Sequence, residues 1–389
     1  MQSVIPLTPG GGPLFRQVYL GLRKAILSGA FQGSGRLPST RELAQQLGVS
    51  RTVVLLLKCA RKASAADLDY GHAGGNTNLR AAICAHLRRS RAVNCDPEQV
   101  IVVNGSQQAL DLIARVLFQP GDPVAVEDPS YQGTTEVLRA AATRLIPVPV
   151  DEQGLDPTRL PRIARALFVT PSHQFPTGAI LPLSRRLALL DWAKRRRAVV
   201  VEDDYDGEFR YDGQMLESLQ GLDRSARVIY IGTFSRTVFS ALRIGYLVVP
   251  KSLVATFSAA KWLCDRHTPS LEQETLAEFI GDGMYERYLR RVRRRNASRR
   301  EVLLDSVRKH LRDRVTVTGE ASGAHVVLWP TPRITEDALI TAAASRGVGI
   351  YGMSPYYLKP PTRTGVLLGY SRMTENNIQE GIRRLGRVL

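Results

Sequence analysis

Three short segments of the sequence place hydroxyl, amide or charged side chains at the ends of apolar runs. In the first of them, Asn104-Gly105-Ser106-Gln107 follows the run QVIVV and opens the helical pattern SQQALDLIARVLF. The start of a helix leaves backbone N–H groups unpaired and carries a partial positive charge, so it stabilises an anion. This segment therefore predicts an anion site at a strand-to-helix junction.

The second segment places carboxylates directly after an apolar run. In VVVEDDYDGEF, Glu202, Asp203 and Asp204 follow four apolar residues. A carboxylate at the end of a buried strand needs a partner, because an unpaired buried charge is costly. Two interpretations stay open at this point. One carboxylate pairs with the protonated ring nitrogen of a ligand, or the cluster lies exposed in a loop at the edge of the fold.

The third segment supplies hydroxyls and cations. GTFS (232–235) ends the run RVIYIGT, and Arg243 follows seven residues after Arg236. Two hydroxyls together with arginines can close a cup around a phosphate.

Metal chemistry has no sequence support. The four cysteines, Cys59, Cys84, Cys95 and Cys264, show no CxxC spacing, and the six histidines form no HxxxH or Cys/His cluster. We therefore expect reduced, buried thiols and no metal ligands.

An alternation of short β-rich runs and helical patterns is needed to position these segments. QVIVV, PVAVED, ALFVT, AVVVED and RVIYIGT read as strands, and NLRAAICAHLRRSR and SRRLALLDWAKRRR read as helices. This order predicts an α/β fold with a mainly parallel sheet, whose ligands sit at the carboxyl ends of the strands. After about residue 260 the pattern changes to long basic helices and a few strands, which predicts a small α+β C-terminal lobe. We place the large subdomain at 67–259 and the small one at 260–389.

A basic segment in the small lobe, YERYLRRVRRRNASRR (285–300), holds eight arginines and one glutamate. Tyr285, Tyr288, Leu289 and Val292 recur at three-to-four spacing, which predicts an amphipathic helix with a solvated basic face. A supporting role in the approach of DNA is the alternative.

Overall composition narrows the class of protein. The chain has 389 residues, 44% of them hydrophobic, and a formal net charge of +17. A field of that sign attracts nucleic acid without specifying a fold. No apolar run approaches the roughly 18 residues of a membrane span, and the first residues show no secretory signal. We expect a cytoplasmic protein that does not associate with membranes.

The N-terminal 66 residues carry much of this charge, with nine Lys/Arg and the single acidic residue Glu42. Ser39 and Glu42 fit a capping box, Gly48 marks a turn, and Ser50 is placed to cap a further helix. This predicts an all-α helix-turn-helix. The N-terminal residues of its last helix face base edges, and the hydroxyls hold phosphates. The candidate DNA contacts are Ser39, Thr40, Arg41, Ser50, Arg51 and Thr52.

The string R-L-P-S-T-R-E-L-A-x-x-L-G-V-S-R (36–51) resembles the DNA-reading head of GntR-type regulators. Such heads continue into a two-stranded wing. No alternating strand pair lies between Val54 and Tyr70, so we expect a helix-turn-helix remnant at 1–66 that lacks its wing.

The body, placed at residues 67–389, contains seven distinctive strings between residues 70 and 371: YGHAGG, NGSQQALDLIAR, VEDPSYQG, TPSHQFPTG, VEDDYDGEF, GTFSRTVFSALRIGYLV and LLGYS. In these strings and in their order the body resembles fold-type I pyridoxal-phosphate aminotransferases, and specifically the body of MocR-type transcription regulators.

This resemblance implies a role for each matching position. Gly105, Ser106 and Gln107, with Thr233, Ser235 and Arg243, would bind the phosphate of the cofactor. Tyr131 would stack on the pyridine ring, Asp203 would pair with its nitrogen and Tyr205 would hydrogen-bond its hydroxyl. The aspartate keeps the ring protonated, so that it can act as an electron sink.

Arg236 stands where the family has the Schiff-base lysine. A guanidinium stays charged and is a poor nucleophile, whereas a desolvated lysine amine attacks an aldehyde. We therefore expect any pyridoxal phosphate to bind weakly or non-covalently, and we expect no transaminase turnover because the lysine also moves the proton.

Three functions follow as hypotheses. The first is a DNA-binding regulator, a homodimer, whose body senses pyridoxal phosphate or its amino-acid adducts and sets the spacing of the heads on two half-sites. Its effector is an amino acid or a vitamin B6 ligand. The second is a pyridoxal-phosphate-dependent aminotransferase acting on an amino acid. The third is a degenerate relative that has lost both functions.

Overall fold

The computed structural model describes residues 59–61, 63, 69–211 and 216–389. The predicted helix-turn-helix lies outside the described residues, and so do its six candidate DNA contacts. Its boundary at 66/67 therefore stays a prediction.

An eight-stranded sheet forms the centre of the large subdomain, in the order β1-β8-β7-β6-β5-β2-β3-β4. The four pairs β7–β6, β6–β5, β5–β2 and β2–β3 are parallel. The sheet is antiparallel at its two ends, where β8 pairs with both β1 and β7, and where β4 pairs with β3. The predicted mainly parallel sheet is confirmed. The strands are β1 Val100–Val103, β2 Pro123–Asp128, β3 Arg144–Asp151, β4 Gly154–Leu155, β5 Ala166–Val169, β6 Val199–Asp204, β7 Val228–Thr233 and β8 Gly245–Val248.

Helices cover both faces of this sheet. The α-helices from residue 69 onward are α1 Thr77–Arg91, α2 Ser106–Leu117, α3 Gln132–Ala140, α4 Leu183–Arg196, α5 Leu219–Leu222, α6 Val254–Asp265, α7 Ser270–Gly281, α8 Met284–His310, α9 Glu336–Ala344 and α10 Glu375–Leu385.

Strand β1 shows why both faces are covered. All four of its residues are buried. Ile101 and Val103 pack in a cluster with α2, α3 and α6, whereas Val100 and Val102 pack in another with α1, α7 and α8. Successive side chains of a strand point to opposite faces, so a run of apolar residues without alternation requires helices on both sides.

The small lobe has a second sheet, antiparallel throughout, with the order β11-β12-β10-β9. Its strands are β9 Val315–Thr318, β10 His325–Pro330, β11 Tyr351–Gly352 and β12 Val366–Gly369. They share one core with α9, α10 and the second half of α8. The predicted α+β lobe is confirmed.

Helix α8 joins the two lobes over 27 residues. Tyr285 and Leu289 pack in the core beside β1, and Leu303 and Val307 pack in the core of the small lobe. Exposed arginines lie on its other face, at 287, 290, 291, 294 and 295. The predicted amphipathic helix is confirmed. No helix among the described residues is both long and apolar enough to cross a bilayer.

Candidate active site and ligand cleft

The carboxyl edge of the large sheet gathers the predicted segments. Strands β6 and β7 are neighbours, with Asp203 opposite Ile231 and Asp204 opposite Gly232. Tyr205 therefore comes directly after β6, at the level where Thr233 ends β7. Antiparallel β8 begins at the same edge, with Gly245 opposite both Thr233 and Val103. Segments far apart in the sequence consequently form one cleft.

Gly105 and Arg243 meet at the start of α2. Gly105 has a φ of +88°, and a Cβ added there would lie 2.7 Å from an Nη of Arg243. The same nitrogen donates to the carbonyl of Asn104 at 3.0 Å. A cation, a helix start and a glycine without a side chain thus converge, which is an arrangement suited to an anion.

Hydroxyls complete this end of the cleft. Thr233 Oγ1 accepts a hydrogen bond from the backbone N–H of Ser235 at 3.1 Å. Ser235 Oγ is buried and has no hydrogen-bond partner among the described residues. A buried hydroxyl without a partner is uncommon in proteins and fits a ligand oxygen.

Asp203 lies on the floor of the cleft. Like Ser235, it has a buried oxygen, Oδ1, without a hydrogen-bond partner among the described residues. Burial, and then the carboxylates of Asp204 and Asp206, raise the pKa of Asp203 to about 7, while the positive charge of Arg236 opposes the rise. A cationic N–H donor in the cleft would satisfy this oxygen. The alternative of a carboxylate cluster in an exposed edge loop is wrong, because Glu202, Asp203 and Asp204 belong to β6.

The hydroxyl of Tyr205 is positioned by a contact with His173. Tyr205 Oη lies 3.0 Å from Nδ1 of His173, and the same nitrogen lies 3.0 Å from Oδ2 of Asp206. Burial raises the pKa of Tyr205 well above its usual value, so its hydroxyl keeps its proton. Because one imidazole N–H pairs with the carboxylate, that proton is available to a ligand.

Aromatic side chains form a wall of the cleft. Phe175 makes edge contacts with Tyr131, Tyr205 and Tyr356, at centroid distances of 5.9, 5.8 and 5.2 Å. Tyr131 is 39% exposed, and its hydroxyl approaches Oε1 of Gln107 at 3.5 Å. Tyr131 therefore joins the anion end of the cleft to its aromatic wall.

His173, Asp206 and His325 form a buried cluster that the sequence did not predict. One ligand atom from each lies within 4.8 Å of the others. Gly323 packs directly on His173, since a Cβ there would lie 2.1 Å from its Cε1. Burial, and then His173, lower the pKa of His325 to about 3, so its ring is neutral. We interpret the cluster as the hydrogen-bonded support of Tyr205.

A buried ion pair anchors the strand below the cleft. Asp204 Oδ2 accepts from Nε of Arg91 at 2.7 Å and from Tyr230 Oη at 2.6 Å. The side chains of Arg91 and Asp204 are each only 2% exposed. Arg91 also contacts Ser172 Oγ, so α1 is tied to two strand ends at once.

Two groups lie at the surface outside the cleft. Arg363 is exposed, and its guanidinium stacks 3.8 Å from the ring centroid of Trp329. Cys59, Cys84 and Cys95 are buried, but Cys264 is exposed, so the expectation that all thiols are buried is wrong. Cys264 lies near the end of α6, whose last turns also expose Trp262 and Leu263.

The cleft lies at the carboxyl edge of a mainly parallel sheet, with a small α+β lobe beside it. This architecture is that of an aminotransferase fold. The family described as aminotransferase class I and II matches residues 32–385. The structure of LysN, an alpha-aminoadipate aminotransferase from Thermus thermophilus complexed with N-(5'-phosphopyridoxyl)-L-leucine, superposes with a TM-score of 0.80. It is 31% identical, and the superposition covers 87% of each chain.

Two regulators are also similar along the sequence. A probable rhizopine catabolism regulatory protein, MocR of Rhizobium meliloti, is 34% identical over 96% of this chain and 93% of its own length. PdxR of Corynebacterium glutamicum, an HTH-type pyridoxine biosynthesis transcriptional regulator, is 32% identical over 82% and 69%. The chain therefore belongs to the aminotransferase class I and II family and, within it, to the MocR-type regulators.

Proposed function

We propose that the chain is a DNA-binding transcription regulator whose aminotransferase-like body binds pyridoxal phosphate non-covalently, as a ligand and without turnover. The observation that carries this is a cleft with Asp203, Tyr205 and the Ser235–Arg243 end in place, and with Arg236 where a lysine would be needed. Membership of a family of regulators supports the role in transcription.

The residues present fit the cofactor in every part except its covalent link. The buried free oxygens of Asp203 and Ser235 suit a ring N–H and a phosphate oxygen. Gly105, Ser106, Gln107, Thr233 and Arg243 would hold the phosphate, as the resemblance implies. When bound, the cofactor supplies an electron-withdrawing ring.

Each group has a definite task in this proposal. Asp203 would hold a proton on the ring nitrogen, and Tyr205, fixed by His173, would donate its proton to the ring hydroxyl. Tyr131 and Phe175 would exclude water from the ring. A guanidinium is not a base at neutral pH, so Arg236 cannot accept the proton that turnover would require.

The aminotransferase alternative rests on the retained Asp203 and Tyr205. A lysine is missing at the position that both anchors the cofactor and moves the proton, so no measurable turnover is expected. Product formation from any pair of amino donor and 2-oxo acid would favour this alternative instead.

The DNA-binding part of the proposal is tested by Arg51→Ala. We expect the affinity for a fragment from the upstream region of the gene to fall by about 1–3 kcal/mol, because Arg51 is assigned to a base edge. Affinity for unrelated DNA should change much less. Gel shifts at two salt concentrations measure both.

Arg195→Ala serves as the matched control, since Arg195 is exposed on α4 and pairs with Asp191 on the same helix. It should leave both affinities unchanged. A wild-type chain that binds upstream and unrelated DNA equally well would refute the proposal.

The pH dependence of cofactor binding tests the role of Asp203. Its pKa of about 7 means that it is charged at pH 8 and mostly neutral at pH 6. A protonated ring nitrogen prefers the charged form, so the affinity for pyridoxamine 5'-phosphate should fall as the pH is lowered, by up to about tenfold between pH 8 and 6. Calorimetric titration at a series of pH values measures this.

Asp203→Asn is the control for that titration. It should bind the ligand more weakly at pH 8 and lose the part of the pH dependence centred near 7. An unchanged profile in Asp203→Asn would show that the ring nitrogen does not meet this carboxylate.

A homodimer is part of the proposal, supported by an exposed apolar patch. Tyr70, Trp262 and Leu263 are 74%, 50% and 77% exposed, and the Arg266 guanidinium lies 4.8 and 4.9 Å from the two ring centroids. Such patches mark interfaces. We expect Leu263→Asp to shift the mass measured by sedimentation from dimer towards monomer. A monomeric wild type would contradict the dimer.

A further inference from the structure

Arg236 is an exposed cation inside the cleft. It follows Ser235 beyond the end of β7, at the carboxyl edge of the large sheet. Among the residues that the structure describes, no carboxylate lies within ion-pair distance of it and no hydrogen bond holds it. A guanidinium presents five N–H donors in a planar fork that matches a carboxylate.

Arg243 and Arg236 lie in different parts of the cleft. Arg243 contacts Asn104 and lies against Gly105, at the start of α2. The charge of Arg236 instead acts on Asp203 and Tyr205 in the floor, and on His325 and Tyr356 on the side of the small lobe. Arg236 is therefore placed to meet a different part of a ligand from the part that Arg243 meets.

Most of the negative charge of a phosphate is balanced without Arg236. A phosphate monoester carries about −1.5 to −2 at neutral pH. Arg243 and the start of α2 contribute about +1.5 between them. On the side of the small lobe, His325 is neutral at physiological pH. Among the described residues Arg236 thus forms no ion pair, although its charge opposes the rise in the pKa of Asp203.

We infer that Arg236 binds the carboxylate of an amino-acid derivative of the cofactor, so that the cleft selects a phosphopyridoxyl amino acid over the free aldehyde. This rests on the proposed function, and it names the class of effector. Such a ligand has anions at both ends, with a phosphate for Arg243 and a carboxylate for Arg236. LysN, which shares this fold, is complexed with a ligand of this class. The inference concerns binding only, and no bond is made or broken in the cleft.

The test compares two stable ligands that differ only in the carboxylate, N-(5'-phosphopyridoxyl)glycine and N-(5'-phosphopyridoxyl)methylamine. Calorimetric titration of the full chain should give an affinity for the glycine derivative about 10- to 100-fold higher, which is the range expected for a charge-assisted pair. In Arg236→Gln this ratio should fall to near 1, while the affinity for the methylamine derivative changes less than about threefold.

Arg363→Gln and Arg372→Gln are the matched controls. Arg363 stacks on Trp329, and Arg372 donates to Ser240 Oγ at 2.7 Å, so each is already engaged. Both variants should keep the wild-type ratio. If either one abolishes the ratio, the carboxylate is bound there and the inference is wrong.

Two further outcomes are separable. Equal affinity of the wild type for the two derivatives, with both bound, overturns the inference and leaves the proposed cofactor site intact. If neither derivative binds to the wild type or to Arg236→Lys, the cofactor site and the inference fall together.

Discussion

Arg236→Lys is expected to turn a weak, non-covalent site into one that holds pyridoxal phosphate through a covalent bond. A lysine amine can lose its proton and attack the aldehyde, whereas a guanidinium cannot. We expect the affinity to rise by about 100-fold or more, which corresponds to roughly 3 kcal/mol. Absorbance spectra with added pyridoxal phosphate should show the band of a lysine-linked cofactor only in the variant.

Arg363→Lys provides the matched control, since it makes the same change at an exposed arginine stacked on Trp329. Its spectrum should equal that of the wild type. The same band in the wild-type chain, or its absence from Arg236→Lys, would contradict the assigned position of the lysine. If Arg236→Lys also gains cofactor-dependent DNA binding, the hypothesis of a degenerate relative is wrong.

Arg91→Met should cause the largest loss of stability. It removes the cation from a pair in which both side chains are 2% exposed, and it leaves Asp204 with Tyr230 as a neutral partner. Removing one member of a buried pair typically costs about 3–5 kcal/mol, because the remaining charge stays desolvated. Urea unfolding at pH 7.5 measures the loss of free energy of unfolding.

Two further variants test that explanation. Arg115→Met breaks an exposed pair with Asp111 on α2, so it should cost less than about 1 kcal/mol. Arg91→Met combined with Asp204→Asn removes the stranded charge and should regain part of the loss. A cost of Arg91→Met no larger than that of Arg115→Met would show that the pair does not anchor β6.

The strand ends of the cleft could be predicted from the sequence, because local pattern determines them. Asp203 and Thr233 stand at the ends of apolar runs, and the structure places both at the carboxyl edge of the same sheet. Parallel strands end at one edge, so periodicity alone brings such residues together. The roles of Ser106, Gln107 and Tyr131 depended on family resemblance, since a polar residue at the start of a helix has many uses.

Other features could not be predicted, because they depend on tertiary contacts. His173, Asp206 and His325 are separated by 33 and 119 positions, and only the fold packs them together. The direction of β8 depends on its pairing with β1 and β7, which its four apolar residues do not encode. The exposure of Cys264 depends on which face of α6 meets the sheet, and that helix has little polar contrast between its faces.

In the proposed regulator, a cofactor-type ligand bound in the body changes the affinity of the N-terminal head for DNA. The most direct test is the affinity of the full chain for its upstream fragment, measured by fluorescence anisotropy at fixed salt, with and without saturating N-(5'-phosphopyridoxyl)glycine. Coupled sites typically change each other's affinity by about 5- to 150-fold, and we predict a change within that range. Identical DNA affinities, under conditions in which calorimetry shows the ligand bound, would contradict the claim.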